Sequence, residues 1–217
     1  MSGNKMWRLK RTGQIFAILL FLLTAAIFIT IIGTFIYYPI DAKQANLPQM
    51  VNMTLQELMK NYSALMAYLH FPWLTQLQMP DFPSSANGLA HFADVKKLFI
   101  LNEILLVLSA IVALPTLKHW YQRKQLWYLY RPFQIGAVLP ILIGGIAATN
   151  FDQFFITFHH LFFSQNSNWL FDPAVDPIIN VLPESFFSHC FIVFFVLFEL
   201  LMGIGIYWTR PKRWLNT

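Results

Sequence analysis

The sequence predicts an all-α integral membrane protein with four transmembrane helices, both termini in the cytoplasm and two extracytoplasmic segments. Three observations predict it. Hydrophobic residues make up 57% of the 217 positions and charged residues only 12%, with a mean hydropathy of +0.51, whereas soluble domains carry roughly twice that share of charge. Four apolar stretches, at about 15–38, 98–117, 133–149 and 190–208, are long enough to cross about 30 Å of hydrocarbon, which takes roughly 20 helical residues. The basic residues, finally, concentrate in alternate connecting segments.

The first span follows Lys5, Arg8, Lys10 and Arg11. Its apolar run is longer than a signal-peptide core and no A-x-A site follows it, so it reads as an uncleaved anchor. The outer segment 39–97 contains "TLQELMKNYSALMAYLH", where Thr54 and Glu57 are spaced as a capping box. Leu55, Leu58, Met59, Tyr62, Leu65, Met66 and Leu69 then recur at helical spacing. The apolar stripe places this helix in the membrane interface or over the outer mouth of the bundle, or else simply packs it against its neighbours. "FPWLTQLQMPDFPSSANG" reads as an irregular loop, and "LAHFADVKKLF" as a helical lead-in to span two. The third span is the weakest, because Gly136, Pro140, Gly144 and Gly145 interrupt it, which membrane helices tolerate. In the outer segment 150–189, two Asp-Pro pairs disfavour helix, so "WLFDPAVDPIINVLPESFF" reads as a turn-rich re-entry toward span four. No internal repeat stands out, and residues 1–217 are expected to form a single membrane domain.

Orientation follows from the charges. Four basic residues precede span one; Lys118, Arg123, Lys124 and Arg131 lie between spans two and three; Arg210, Lys212 and Arg213 follow span four. These regions belong in the cytoplasm. All 10 acidic residues lie outside them, with Glu103 and Glu199 inside spans, and five of the 6 histidines fall near the outer face. The polar chemistry is therefore expected on the extracytoplasmic side of a multi-pass membrane protein. No phosphate-cradling glycine loop is present. The pI of about 9.4 reflects cytoplasmic anchoring charge, not a nucleic-acid footprint. The lone Cys190 excludes an internal disulfide.

The outer segments hold the candidate site. His91 and Asp94 are three apart and share a helix face, so the carboxylate can orient the imidazole; the alternative is an interfacial His beside an Asp paired with Lys97. The stretch "FHHLFFSQNSNWLFDPAVDP" gathers His159, His160, Asn166, Asn168, Trp169, Asp172 and Asp176. Adjacent on a helix, His159 and His160 point about 100° apart, so only one can face a common site. Trp169 also suits an aromatic belt. Glu199 must face the bundle or a cavity.

Several chemistries compete for these residues. Ser84, Ser85, Ser164, Ser167 and Ser188 are available to a serine hydrolase, but no G-x-S-x-G elbow exists. His91, Asp94, His159 or His160, Asp172 and Asp176 could ligate zinc in a metal-dependent membrane hydrolase of lipids, although no H-E-x-x-H helix is present. A non-catalytic lipid or lipoprotein carrier also fits the composition. The remaining option is histidine general acid–base catalysis, suited to acyl transfer from an ester to an amine.

The run "FHHLFFSQNSNWLFDPAVDPIINVLPESFF", with "HFADVK" before span two and "YSALMAYL" upstream, resembles the bacterial lipoprotein intramolecular transacylases, four-span membrane proteins of Gram-positive bacteria. The resemblance covers nearly the whole chain. It implies a diacylated lipoprotein as substrate, drawn from the membrane lipid phase. The acyl chain at the sn-2 position of its diacylglyceryl group moves to the α-amine of its N-terminal Cys, giving the lyso form. Neither a cofactor, a metal nor an obligate protein partner is implied, and no nucleic acid. Carried over by motif, His159 would be the base and His91 the acid, with the reverse assignment open. Asp94, Tyr62, Trp169, Asp172, Asp176 and His160 would support or orient them.

Overall fold

The computed structural model describes residues 2–163 and 168–215. Among the described residues the chain is helical without strands. Four helices are long and apolar enough to cross a membrane: α1 (Ser2–Gln44), α4 (Ala86–Gln122), α5 (Tyr130–Thr149) and α7 (Glu184–Thr209). The third has the lowest hydropathy of the four, as its Gly and Pro content predicts. Pro39, Pro115 and Pro140 all lie inside helices, which apolar surroundings and neighbouring helices permit. Large apolar side chains point outward along these helices, among them Ile36, Val107, Ile111, Ile141 and Val196. Such exposure belongs against lipid rather than water.

Short elements fill the connections: α2 (Leu47–Met50), α3 (Leu55–His70), α6 (Phe151–Phe162), α8 (Pro211–Leu215), and 3-10 turns at Leu126–Leu129 and Pro177–Val181. The spacing expected for a capping box is realised at α3. Oγ1 of Thr54 accepts from N–H of Glu57 at 3.2 Å, and Oε2 of Glu57 accepts from N–H of Thr54 at 2.8 Å. The long helices overrun the apolar stretches read from the sequence. α7 starts at Glu184 rather than near 190, because hydropathy marks the part inside hydrocarbon while backbone hydrogen bonding continues beyond it.

The chain divides into two compact units. The first comprises Met1–Thr30, Asn102–Ile146 and Phe191–Thr217. Its core gathers Ile18, Ala113, Trp120, Leu129, Phe133, Phe198 and Met202. Gly205 makes room for the Phe133 ring, since a Cβ there would lie 2.7 Å from it. Asn102 donates to the backbone oxygen of Thr24 at 3.2 Å.

The second unit comprises Ile31–Leu101 and Ala147–Cys190. The apolar stripe of α3 is its centre: Leu58, Tyr62, Leu65, Met66 and Leu69 are buried with Tyr38, Phe92, Ile178, Val181 and Phe186. Asn61, also buried, donates to Oδ2 of Asp81 at 2.7 Å and accepts from N–H of Asp81 at 2.9 Å, which pins the loop 71–85. Lys96 holds the start of that loop by donating to the carbonyls of Phe71 and Leu74.

The re-entry 168–183 is fastened to the start of α4 by one buried carboxylate. Asp176, 2% exposed, accepts from N–H of Ser85 at 2.7 Å and from its hydroxyl at 2.6 Å. Oγ of Ser85 in turn accepts from N–H of Gly88 at 3.0 Å, capping the helix. A Cβ on Gly88 would lie 2.3 Å from Oδ1 of Asp176, which its two hydrogen bonds keep from swinging aside. We therefore expect Asp176→Ala and Gly88→Ala each to destabilise the protein by about 1–3 kcal/mol, the first by stranding a buried donor and the second by overpacking. Thermal unfolding of the two variants in detergent checks this; unfolding at the wild-type temperature would refute it.

Candidate active site

Two imidazoles meet in the second unit. His91 lies in the second turn of α4, and His159 in the last turn of α6, whose N-terminus is capped by Oδ1 of Asn150 accepting from N–H of Gln153 at 3.0 Å. The ring centroids stand 5.8 Å apart with planes inclined by 29°. Both side chains are buried, at 5% and 8% exposure.

The walls are aromatic. Phe163 and Phe171 present their rings to His91 at 4.8 Å and 5.4 Å, both near edge-on. Phe155 and Trp169 lie against His159 at 4.1 Å and 4.8 Å. Nδ1 of His159 is 2.8 Å from the backbone oxygen of Phe155. A carbonyl only accepts, so Nδ1 carries the proton and Nε2 keeps the lone pair. That leaves Nε2 as the basic edge of a neutral ring. Burial holds the His159 imidazole below its ordinary value and the positive potential of His160 adds to this, while the Phe155 carbonyl works against both.

The other residues read from the sequence fall in different places. Asp94 does not pair with the His91 ring: Oδ1 accepts from Nζ of Lys97 at 2.8 Å, and Oδ2 from Nδ2 of Asn168 at 3.3 Å. Lys97 is also one helical turn away and carries a full charge, so it takes the carboxylate. Asn168, 7% exposed, lies beside His91. Trp169 walls the pair directly. His160 is exposed and meets only the edge of Trp169, at 5.6 Å and 83°, so His159 is the member of the pair that faces inward. Asp172 is exposed and caps its own turn, accepting from N–H of Ala174 at 2.9 Å. Asp176 acts at the helix start described above.

Tyr62 belongs to the core around α3. It stacks on Tyr38 at 4.2 Å and donates to Oγ1 of Thr34 at 2.5 Å, and burial pushes its hydroxyl up. Ser164, Asn166 and Ser167 lie outside the described residues. Among the described residues, no three His, Cys, Asp or Glu side chains converge as metal ligands. Glu199 belongs to the first unit. It lines an apolar groove of about 660 Å³ with Pro140, Gly144, Phe195, Gly203 and Tyr207. The sequence places Asn168 in the polar stretch but gives it no role, its only signal being a polar side chain inside an aromatic run.

The fold and this pair define a multi-pass membrane protein that carries two buried, facing imidazoles within an aromatic enclosure. The family described as lipoprotein intramolecular transacylase Lit matches residues 12–187. Three solved structures of the membrane-integral lipoprotein intramolecular transacylase Lit from Bacillus cereus are similar to the chain. One is 27% identical, with a TM-score of 0.81, covering 97% of this chain and 98% of the other. The other two, each with one histidine replaced (by arginine in one and alanine in the other), are 26% identical with TM-scores of 0.79 and 0.80, and each covers at least 95% of both chains. No curated protein matches. The chain belongs to the lipoprotein intramolecular transacylase family and is an acyltransferase of the membrane.

The depressed titration of His159 has a consequence for stability. Unfolding returns the ring to a pKa of about 6.5. Below that pH the unfolded chain therefore binds a proton that the folded chain resists until its own lower value is reached, and stability falls as pH drops through this window. Above it His159 costs nothing. His159→Gln should lose less thermal stability than wild type on acidification from about pH 7 to 5; parallel losses in detergent melts would contradict this.

Proposed function

We propose that the chain transfers the sn-2 acyl chain of a diacylglyceryl group to the α-amine of the N-terminal Cys of the same lipoprotein, with His159 and His91 as base and acid. The observation that carries this reading is the facing pair, 5.8 Å apart, one ring fixed with its Nε2 lone pair directed away from its own helix. The amine nitrogen attacks the ester carbonyl, and Nε2 of His159 removes a proton from it as the N–C bond forms. The glycerol C–O bond then breaks; His91 takes up on Nε2 the proton that His159 removed and delivers it to the departing alkoxide, so both rings end neutral as they began. An ester and an amine become an amide and an alcohol, with protons balanced.

A reference α-amine pKa of about 7.7–8.0 leaves a useful fraction unprotonated near neutrality, and a desolvated, neutral His159 is ready to accept a proton there. Both reacting groups belong to one molecule, so holding them at the pair supplies much of the rate. The aromatic walls of Phe155, Phe163, Phe171 and Trp169 exclude water, which would otherwise hydrolyse the ester.

On this reading the 217 residues work as one membrane domain. The histidines face the extracytoplasmic side, where α3 lies at the interface, and a diacylated lipoprotein in the lipid phase is the only partner required. The distribution of basic residues supports the orientation. Trp73, 71% exposed in the loop after α3, offers a test. In a Cys190→Ala background, Trp73→Cys should react with an impermeant maleimide added to intact cells; protection until lysis would reverse the topology.

The reaction itself is tested by expressing the chain in a bacterium whose lipoproteins stop at the diacyl form. Tandem mass spectrometry of a lipoprotein N-terminal peptide should find an N-acyl group with one O-acyl chain. His159→Ala and His91→Ala should each lower conversion by about 10²-fold or more, and a chelator should leave it unchanged. An unaltered diacylglyceryl peptide with a free amine sinks the transacylase reading, and loss of activity on chelation favours a metal-dependent hydrolase.

A further inference from the structure

His159 is oriented by a backbone carbonyl, but His91 has no such anchor. Its Nδ1 is buried without an aligned hydrogen-bond partner, and the same holds for Oδ1 of Asn168, which lies within reach of it. The two orphaned atoms are complementary: one is a potential N–H donor and the other an acceptor.

Asp94 decides which way the Asn168 amide points. Its Oδ2 lies 3.3 Å from the amide nitrogen, and a carboxylate only accepts, so the NH₂ end must face Asp94 and Oδ1 must face away from it. Lys97 holds the other oxygen of Asp94 and keeps the carboxylate charged. At 7% exposure, Asn168 has little solvent to satisfy Oδ1 instead, and leaving a buried carbonyl unpaired is costly.

We propose that Asn168 is a positioning residue that couples Asp94 to His91: Nδ2 donates to the Asp94 carboxylate while Oδ1 takes the Nδ1 proton of His91, so that His91 presents Nε2 to the reaction. The Asp94 effect anticipated from its spacing to His91 thus arrives through an intervening carboxamide. His91 becomes the counterpart of His159, with Nδ1 engaged and Nε2 free to work. An acceptor at Nδ1 also stabilises the imidazolium that must donate to the leaving alkoxide, inside walls that otherwise disfavour it. The charged and titratable groups facing His91 are His159 across the pair and Asp94 on its own helix. This inference rests on the acyl-transfer reading for its role in the reaction, but not for its geometry.

The test uses the full chain in detergent with ¹⁵N-labelled histidine, the His91 signals being identified by their loss in His91→Gln. Wild type should hold His91 in the Nδ1–H tautomer. Asn168→Ala should return it to a tautomer mixture, and should slow N-acylation of a synthetic diacylglyceryl-cysteinyl peptide roughly tenfold or more, the factor a hydrogen bond to a charged group carries. If Asn168→Ala fails to fold, Asn168→Asp answers the same question, because a carboxylate accepts more strongly and should move the His91 titration to higher pH. Combining Asp94→Asn with Asn168→Asp reverses the pair, keeps an acceptor toward His91, and should recover most of the activity lost by Asp94→Asn alone. Unchanged His91 signals in Asn168→Ala, or in Asn168→Asp, overturn the coupling even if activity falls. A wild-type chain that transfers no acyl group, yet whose His91 tautomer depends on Asn168, refutes the functional reading and leaves the coupling standing.

Discussion

The site depends on a single buried carboxylate. Asp176 spends both oxygens on Ser85, one on its backbone N–H and one on its hydroxyl, at the start of the helix that carries His91. A buried charge is tolerated there because donors meet it and the helix N-terminus favours an anion. The consequence is positional. Asn168, Trp169 and Phe171 belong to the same re-entry as Asp176, and through it they are held against imidazoles contributed by two other helices. Gly88 completes the fastening by leaving room for the carboxylate where any side chain would collide.

The two imidazoles are made unequal by what surrounds them. His159 is tied by its own helix, through the carbonyl of Phe155 one turn earlier, and is walled by Phe155 and Trp169. His91 is enclosed by Phe163 and Phe171 and depends on side chains for its orientation. Desolvation keeps His159 neutral near physiological pH. A neutral ring with one nitrogen committed is suited to taking a proton and poorly suited to holding one. The partner ring stands near the Asp94 carboxylate, with the Asn168 carboxamide between them. The rings thus differ in what orients them, while burial disfavours the charged form of both.

Much of this was legible in the chain, for reasons particular to each element. The spans follow from length and apolarity, and the weak third one from its Gly and Pro residues. The capping box at Thr54 and Glu57 is a local hydrogen-bond pattern and could be read directly. That one member only of the His159–His160 pair faces the site follows from helical geometry. What spacing left open was the partner of Asp94: His91 and Lys97 are each one turn away on the same helix, and the formal charge of Lys97 takes the carboxylate oxygen that geometry made available to either. Asp172 and Asp176 look alike in sequence, both before proline, yet one caps an exposed turn and the other is buried at a helix start.

By itself, then, the sequence determined an all-helical membrane protein, the helix boundaries marked by caps, and the histidines that could carry chemistry, because each of these depends on periodicity, composition or contacts within one or two turns. The tertiary structure alone decided that His91 and His159 face each other, that Asn168 stands between Asp94 and His91, that Tyr62 belongs to a core rather than to the imidazole pair, and that Asp176 closes the enclosure. Those are contacts between segments far apart along the chain, and they are chosen by competition among buried groups for the few partners that packing brings within reach, which no local pattern encodes.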